Sequence, residues 1–220
     1  MHHEYSGKDG AMMESVQYCK SYEEYQRLME NDIKQGREPL RREVLDGVIY
    51  IVSMATAKHQ DVVKNLGEML GNFLKLKKEN CKVLIAPFDV RLNYEKKSDE
   101  GEPDQIVQPD VFVSCKDKII DGKFLAGAPE VVFEVLSENP SYDKTKKFVK
   151  YYDYGVKEYF MVDQYKEEVI KHVFLENDVE TYIYKNLDDI FCVDELDFKL
   201  RVSDVFGYTE RFEKPVLKEL

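Results

Sequence analysis

The chain has 220 residues, 43% of them hydrophobic, which is enough to bury the core of one domain of ordinary size. A formal net charge of −11 argues against a protein that coats nucleic acid nonspecifically, because phosphate neutralisation supplies most of that affinity. Apolar runs such as Val131-Val132-Phe133 fall far short of the roughly 18 residues of a membrane span, and the N-terminus lacks an apolar signal core, so a cytoplasmic protein without a membrane partner is expected.

Residues 1–20 carry no periodicity and read as a flexible leader ahead of a single domain over 21–220. From Ser21, SYEEYQRLME reads as a short helix, with Ser21 as N-cap and Glu24 completing a capping box. REVLDGVIYIVSM alternates about Asp46-Gly47 and predicts a hairpin. Over residues 56–78 the apolar positions Val62, Val63, Leu66, Met69, Leu70, Phe73 and Leu74 form one stripe, which predicts the longest helix.

Three strands follow: CKVLIAPFDVRLNY, split at Pro87; QPDVFVSC; and APEVVFEVLS. Between the first two, EKKSDEGEPDQ has no apolar anchor and reads as an exposed loop. SYDKTKKFVKYYDYG has a helical face and ends at Gly155, a residue suited to the left-handed position after a helix. EYFMVD is a further strand, VIKHVFLENDVETYIYK a hairpin turning at Glu176-Asn177-Asp178, and FKLRVSDVF closes the domain. The four cysteines, Cys19, Cys81, Cys115 and Cys192, lie far apart and read as free, mostly buried thiols. The order of elements predicts an α/β (α+β) architecture: a mixed central β-sheet flanked by helices, with an N-terminal and a C-terminal hairpin.

Two acids stand out. Asp110 opens a hydrophobic strand, and Glu134 interrupts the run Val131, Val132, Phe133, Val135, Leu136. A carboxylate on a core strand needs a partner. For Glu134 the spacing leaves two: a hard cation shared with Asp110, completed by a backbone carbonyl at Val135 and by waters, or a buried lysine or arginine. Asp143 and Lys147 are four apart on the next helix, with Tyr151 one turn on, so they form either a solvated pair or a lysine leaning into a cleft with its pKa lowered. His59 at the start of the long helix and Glu43 in the hairpin are supporting candidates, and Tyr151 and Tyr159 are assigned to packing.

QPDVFVSC, followed by GAPEVVFEVLSENPSYDKTKKFVKYYDYGVKEYFMVD, resembles the Uma-two family of restriction endonucleases, a branch of the PD-(D/E)XK nuclease superfamily. The likeness runs from about Tyr22 to Phe206 and is tight between Gln108 and Asp163. It departs where Leu136 stands in place of the superfamily's lysine, the family's own lysine falling on Lys147, and where Phe160 replaces a usual tryptophan. The resemblance implies a restriction-endonuclease-like fold in which Asp110 and Glu134 ligate Mg²⁺ or Mn²⁺ and Lys147 acts as base or charge stabiliser. It implies DNA as substrate, and cutting both strands of a duplex favours a homodimer. The competing expectation, motivated by the negative charge, is a noncatalytic binding or regulatory module on the same scaffold.

Overall fold

The computed structural model describes residues 17–36, 40–52, 55–77, 80–95, 101–115, 118–137 and 141–208. Helix α1 (Tyr22–Lys34) starts where Ser21 accepts a hydrogen bond from the Glu24 backbone N–H, while the Glu24 carboxylate reaches back to the N–H of Lys20 rather than of Ser21. Most of the expected leader lies outside the described residues, but Tyr18 bridges to Val48 and Cys19 is buried. Strands β1 (Arg42–Leu45) and β2 (Val48–Ile51) form the expected hairpin. Asp46 and Gly47 take φ of 52° and 76°, the double left-handed turn that suits this pair.

Helix α2 (Ala57–Lys77) follows the predicted stripe, burying Val62, Val63, Leu66, Leu70 and Leu74. Strands β3 (Lys82–Ile85) and β4 (Asp89–Arg91) are divided by a cis Ala86-Pro87 bond. Next come β5 (Ile106–Val107), β6 (Val111–Ser114), β7 (Ile119–Ile120), β8 (Phe124–Ala126) and β9 (Val131–Val135). A π-helical turn (Asp143–Lys147) leads into α3 (Phe148–Tyr154), which ends at Gly155 with φ 90°. Strands β10 (Glu158–Asp163), β11 (Glu168–Phe174) and β12 (Val179–Tyr184) then form a meander. A small hairpin, β13 (Ile190–Val193) with β14 (Phe198–Arg201), precedes a helical turn at Val202–Val205. Only β14 of that hairpin falls in a segment expected from sequence.

The strands form two six-stranded sheets, one ordered β2-β1-β5-β4-β8-β7 and the other β12-β11-β10-β9-β6-β3. The second is mixed, with β9 and β10 parallel across the α3 crossover. Side chains alternate along each strand, so each strand serves two layers. Val131, Phe133 and Val135 pack against α2, while Val132 and Leu136 face the first sheet together with Leu45, Val90 and Val107. The outer face of the first sheet, through Val44 and Ile106, packs against Tyr22 and Tyr25 of α1. The order of layers is α2, second sheet, first sheet, α1, with α3 beside the second sheet's inner face.

Two expectations are corrected. Cys81 and Cys115 are joined in a disulfide with Cα atoms 3.8 Å apart, not held as free thiols. The β3–β6 register pairs Lys82 with Ser114, so the next residues outward meet, a proximity hidden by a sequence separation of 34. The end of the charged loop is also not exposed: Asp104 and Gln105 are buried, Asp104 meeting Arg91 at 3.1 Å and the Tyr22 backbone N–H at 2.7 Å. That loop ends as a polar anchor beneath α1.

Candidate active site

The alternation that builds the layers also gathers the acids. Glu43 shares a face of β1 with Leu45, which packs toward the second sheet. Glu134 shares a face of β9 with Val132 and Leu136, which pack toward the first. The β6–β9 register, Val111 opposite Phe133, continues by one residue to set Asp110 opposite Glu134, on the same face. The three carboxyl groups therefore meet between the sheets, and all three are nearly removed from water.

Lys147 enters from the π-helical turn, with only 2% of its surface exposed. Its ammonium lies 2.9 Å from Oε1 of Glu134, 3.1 Å from Oε1 of Glu43 and 3.4 Å from Oδ1 of Asp143. The Tyr151 hydroxyl donates to the same Glu134 oxygen at 2.7 Å. Asp110 is held separately: Arg41 Nη1 contacts Oδ1 at 3.1 Å, and Oδ2 meets His59 Nε2 at 3.1 Å and the Val135 backbone N–H at 2.9 Å. A second arm of Arg41 donates to the Gln108 carbonyl, and the Gln108 N–H donates to Oε1 of Glu43 at 2.8 Å.

The six side chains singled out from sequence, Asp110, Glu134, Lys147, Asp143, His59 and Glu43, lie in one continuous network. Val135 joins it through its N–H. Of the two partners open for Glu134 from its spacing, a buried lysine is present. Arg41 and the Tyr151 hydroxyl were not foreseen as members. Arg41 stands two residues before Glu43, so strand alternation puts both on one face, and Tyr151 lies one turn beyond Lys147; those spacings were the available signals.

Charge is unbalanced here. Four carboxylates surround two permanent cations, Lys147 and Arg41. Burial raises the Glu134 carboxyl to about 8, with Asp110, Asp143 and Glu43 adding to the rise and Lys147 opposing it. Burial acts on Asp110 in the same direction, but the His59 hydrogen bond and the Arg41 charge outweigh it and bring that carboxyl down to about 2. For Lys147, burial alone would favour loss of the proton, yet Glu134, Glu43 and Asp143 hold it well above the ordinary lysine range. The expected lowering is therefore reversed, because three acids surround one amine.

Among the described residues, no three His, Cys, Asp or Glu side chains are grouped closely enough to hold a metal ion. The donor set still suits a hard cation, which takes carboxylate, carbonyl and water oxygens rather than a closed ring of side chains. Burial and the neighbouring Glu43 carboxylate hold the Tyr142 hydroxyl protonated. A site with excess buried negative charge fits a cation.

Comparison with known proteins agrees with this arrangement of elements. Residues 22–202 match the model of the Uma2 family, described as "Putative restriction endonuclease". No curated protein matches. The chain is similar in fold to the crystal structure of "a putative nuclease belonging to DUF820" from Anabaena variabilis ATCC 29413. The TM-score is 0.62 at 17% identity, covering 82% of this chain and 98% of that one. With the family model spanning most of its length, from α1 to the last helical turn, the chain belongs to the Uma2 family.

Proposed function

We propose that this protein is a divalent-metal-dependent endonuclease hydrolysing DNA phosphodiester bonds, with Asp110, Glu134 and the Val135 main-chain carbonyl as ligands to Mg²⁺ or Mn²⁺. The observation that carries the reading is the excess of buried carboxylate about Glu134 in a chain of this family. When bound, the ion supplies a polarised phosphate oxygen and a water of lowered pKa. The chain's own residues do the remaining work. Lys147, held among Glu134, Glu43 and Asp143, acts as base or stabilises negative charge developing on the phosphate. Glu43 and Asp143 position that ammonium, while Arg41 and His59 fix the Asp110 carboxylate in one orientation. For cleavage of both strands the reading carries with it a two-fold dimer.

The test is Mn²⁺-dependent cleavage of supercoiled, linear and single-stranded DNA by wild type, Asp110→Ala, Glu134→Ala and Lys147→Ala, with activity followed through a final sizing column to exclude a contaminant. Cleavage by wild type alone is expected, and equal activity in all four sinks the proposal. A second reading, a binding module without catalysis, is favoured by the net charge of −11 and by the ammonium already seated among the carboxylates. It predicts no heat of Mn²⁺ binding in calorimetry, with or without Glu134→Gln.

A further inference from the structure

A cavity of about 370 Å³ opens between α1 and the joint of β3 and β4. Gln108 stands between it and the acid cluster. The main chain of Gln108 contacts Glu43 and Arg41, while its side-chain Nε2 meets Asp89 and the Tyr25 hydroxyl, both of which line the cavity with it. Inside, Oδ1 of Asp89 accepts from Gln108 Nε2 at 2.7 Å and from the Tyr25 hydroxyl at 3.2 Å, and Oδ2 accepts from the Tyr22 hydroxyl at 3.0 Å. All three donors are neutral, and no described cation makes an ion pair with Asp89. Burial holds its carboxyl above the ordinary range, against the three hydrogen bonds that favour the charged form.

Gln108 supplies the second observation. Its amide orientation is dictated by Asp89, since the NH₂ group must face the carboxylate and the oxygen would be repelled there. Oε1 is then left buried without a partner, on a residue only 5% exposed. Tyr22, Tyr25 and Phe88 provide aromatic walls, with Glu30 and Lys123 also lining the cavity. The unmet demand is for hydrogen-bond donors carrying positive charge, in front of aromatic faces.

We propose that this cavity binds a small organic cation bearing a primary ammonium or guanidinium group, whose N–H donors are taken by Asp89 and by Oε1 of Gln108. A nucleic acid strand is disfavoured, because Asp89 and Glu30 would repel its phosphates. The cation comes either as a free small molecule or as the lysine or arginine side chain of a protein partner. The site does not depend on the nuclease reading.

Calorimetry and amide NMR on the full chain, titrated with n-butylammonium, methylguanidinium and tetramethylammonium, test it. Saturable binding of one of the first two is expected, with tetramethylammonium, which has no N–H, at least about tenfold weaker. Asp89→Asn should weaken binding by about tenfold or more, exposed Lys123→Glu should tighten it severalfold, and Glu134→Gln should leave it unchanged. No saturation of wild type, equal binding of tetramethylammonium, or full retention in Asp89→Asn overturns the proposal. Should Asp89→Asn fail to fold, failure of Lys123→Glu to tighten binding overturns it instead. An arginine-terminated peptide binding more tightly than methylguanidinium supports the site and assigns a protein side chain as its source; weaker binding supports the site and assigns the free cation.

Discussion

Nζ of Lys147 donates to Oε1 of Glu134 across 2.9 Å, at a point where both side chains are almost wholly removed from water. Removing the amine leaves the acids it holds, Glu134, Glu43 and Asp143, crowded in the interior without a counter-charge, at a cost of about 3–5 kcal/mol. Lys147→Met should therefore destabilise the protein by about 3 kcal/mol in urea denaturation, and adding Glu134→Gln should recover part of the loss, the rest staying with Glu43 and Asp143, which still face the missing ammonium. Strictly additive effects in the double-mutant cycle would show that the two side chains do not act as a pair.

Mn²⁺ should stabilise the wild type through mass action, by about 2.7 kcal/mol at a hundredfold excess over its dissociation constant. EDTA should reverse the gain. Glu134→Gln and Asp110→Asn should each abolish the metal-induced rise in Tm, and a rise retained in both variants would put the ion elsewhere in the molecule.

His172 is buried among Phe148, Tyr159 and Phe174, and burial lowers its pKa from 6.5. The unfolded chain then takes up a proton that the folded chain refuses. Its contribution to stability is present above 6.5 and is lost as pH falls from there toward the lowered folded value. His172→Phe should flatten the fall in stability between neutral pH and pH about 5, and an unchanged slope would assign the acid sensitivity to other groups.

The Cys81–Cys115 bridge closes a loop with a sequence separation of 34, so chain entropy predicts a contribution of roughly 3–4 kcal/mol. Cys81→Ser should lower stability by about that amount under oxidising conditions. With reductant present, wild type and variant should agree to within about 1 kcal/mol. A gap that persists under reduction would mean that the serine substitution disturbs packing in its own right.

Local chemistry explains which parts of the fold were legible in the sequence. The N-cap at Ser21, the Asp46-Gly47 turn, the apolar stripe of α2 and the stop at Gly155 are each written in adjacent residues. The candidate site was legible where a residue broke its surroundings, as Glu134 does within an apolar strand. Relations set by strand pairing stayed hidden. Cys81 beside Cys115, Asp104 under α1 and Arg41 against Asp110 follow from register between distant segments, which no local pattern records. The pKa of Lys147 was misjudged for the same reason, because Glu43 comes from the other sheet.

The chain leaves the first sheet at Val107 and enters the second at Val111, so Asp110 belongs to the short tether joining them. Glu43 hangs from one sheet, Glu134 from the other, and Lys147 reaches both. The polar cluster thus depends on how the two sheets sit against each other rather than on either one alone. A slip of one sheet over its neighbour, too small to melt either, would scatter the polar cluster while most of the backbone ladder survived. Damage to the hydrophobic filling between the sheets, at Leu125 for example, would then disturb the polar cluster before it melts the fold.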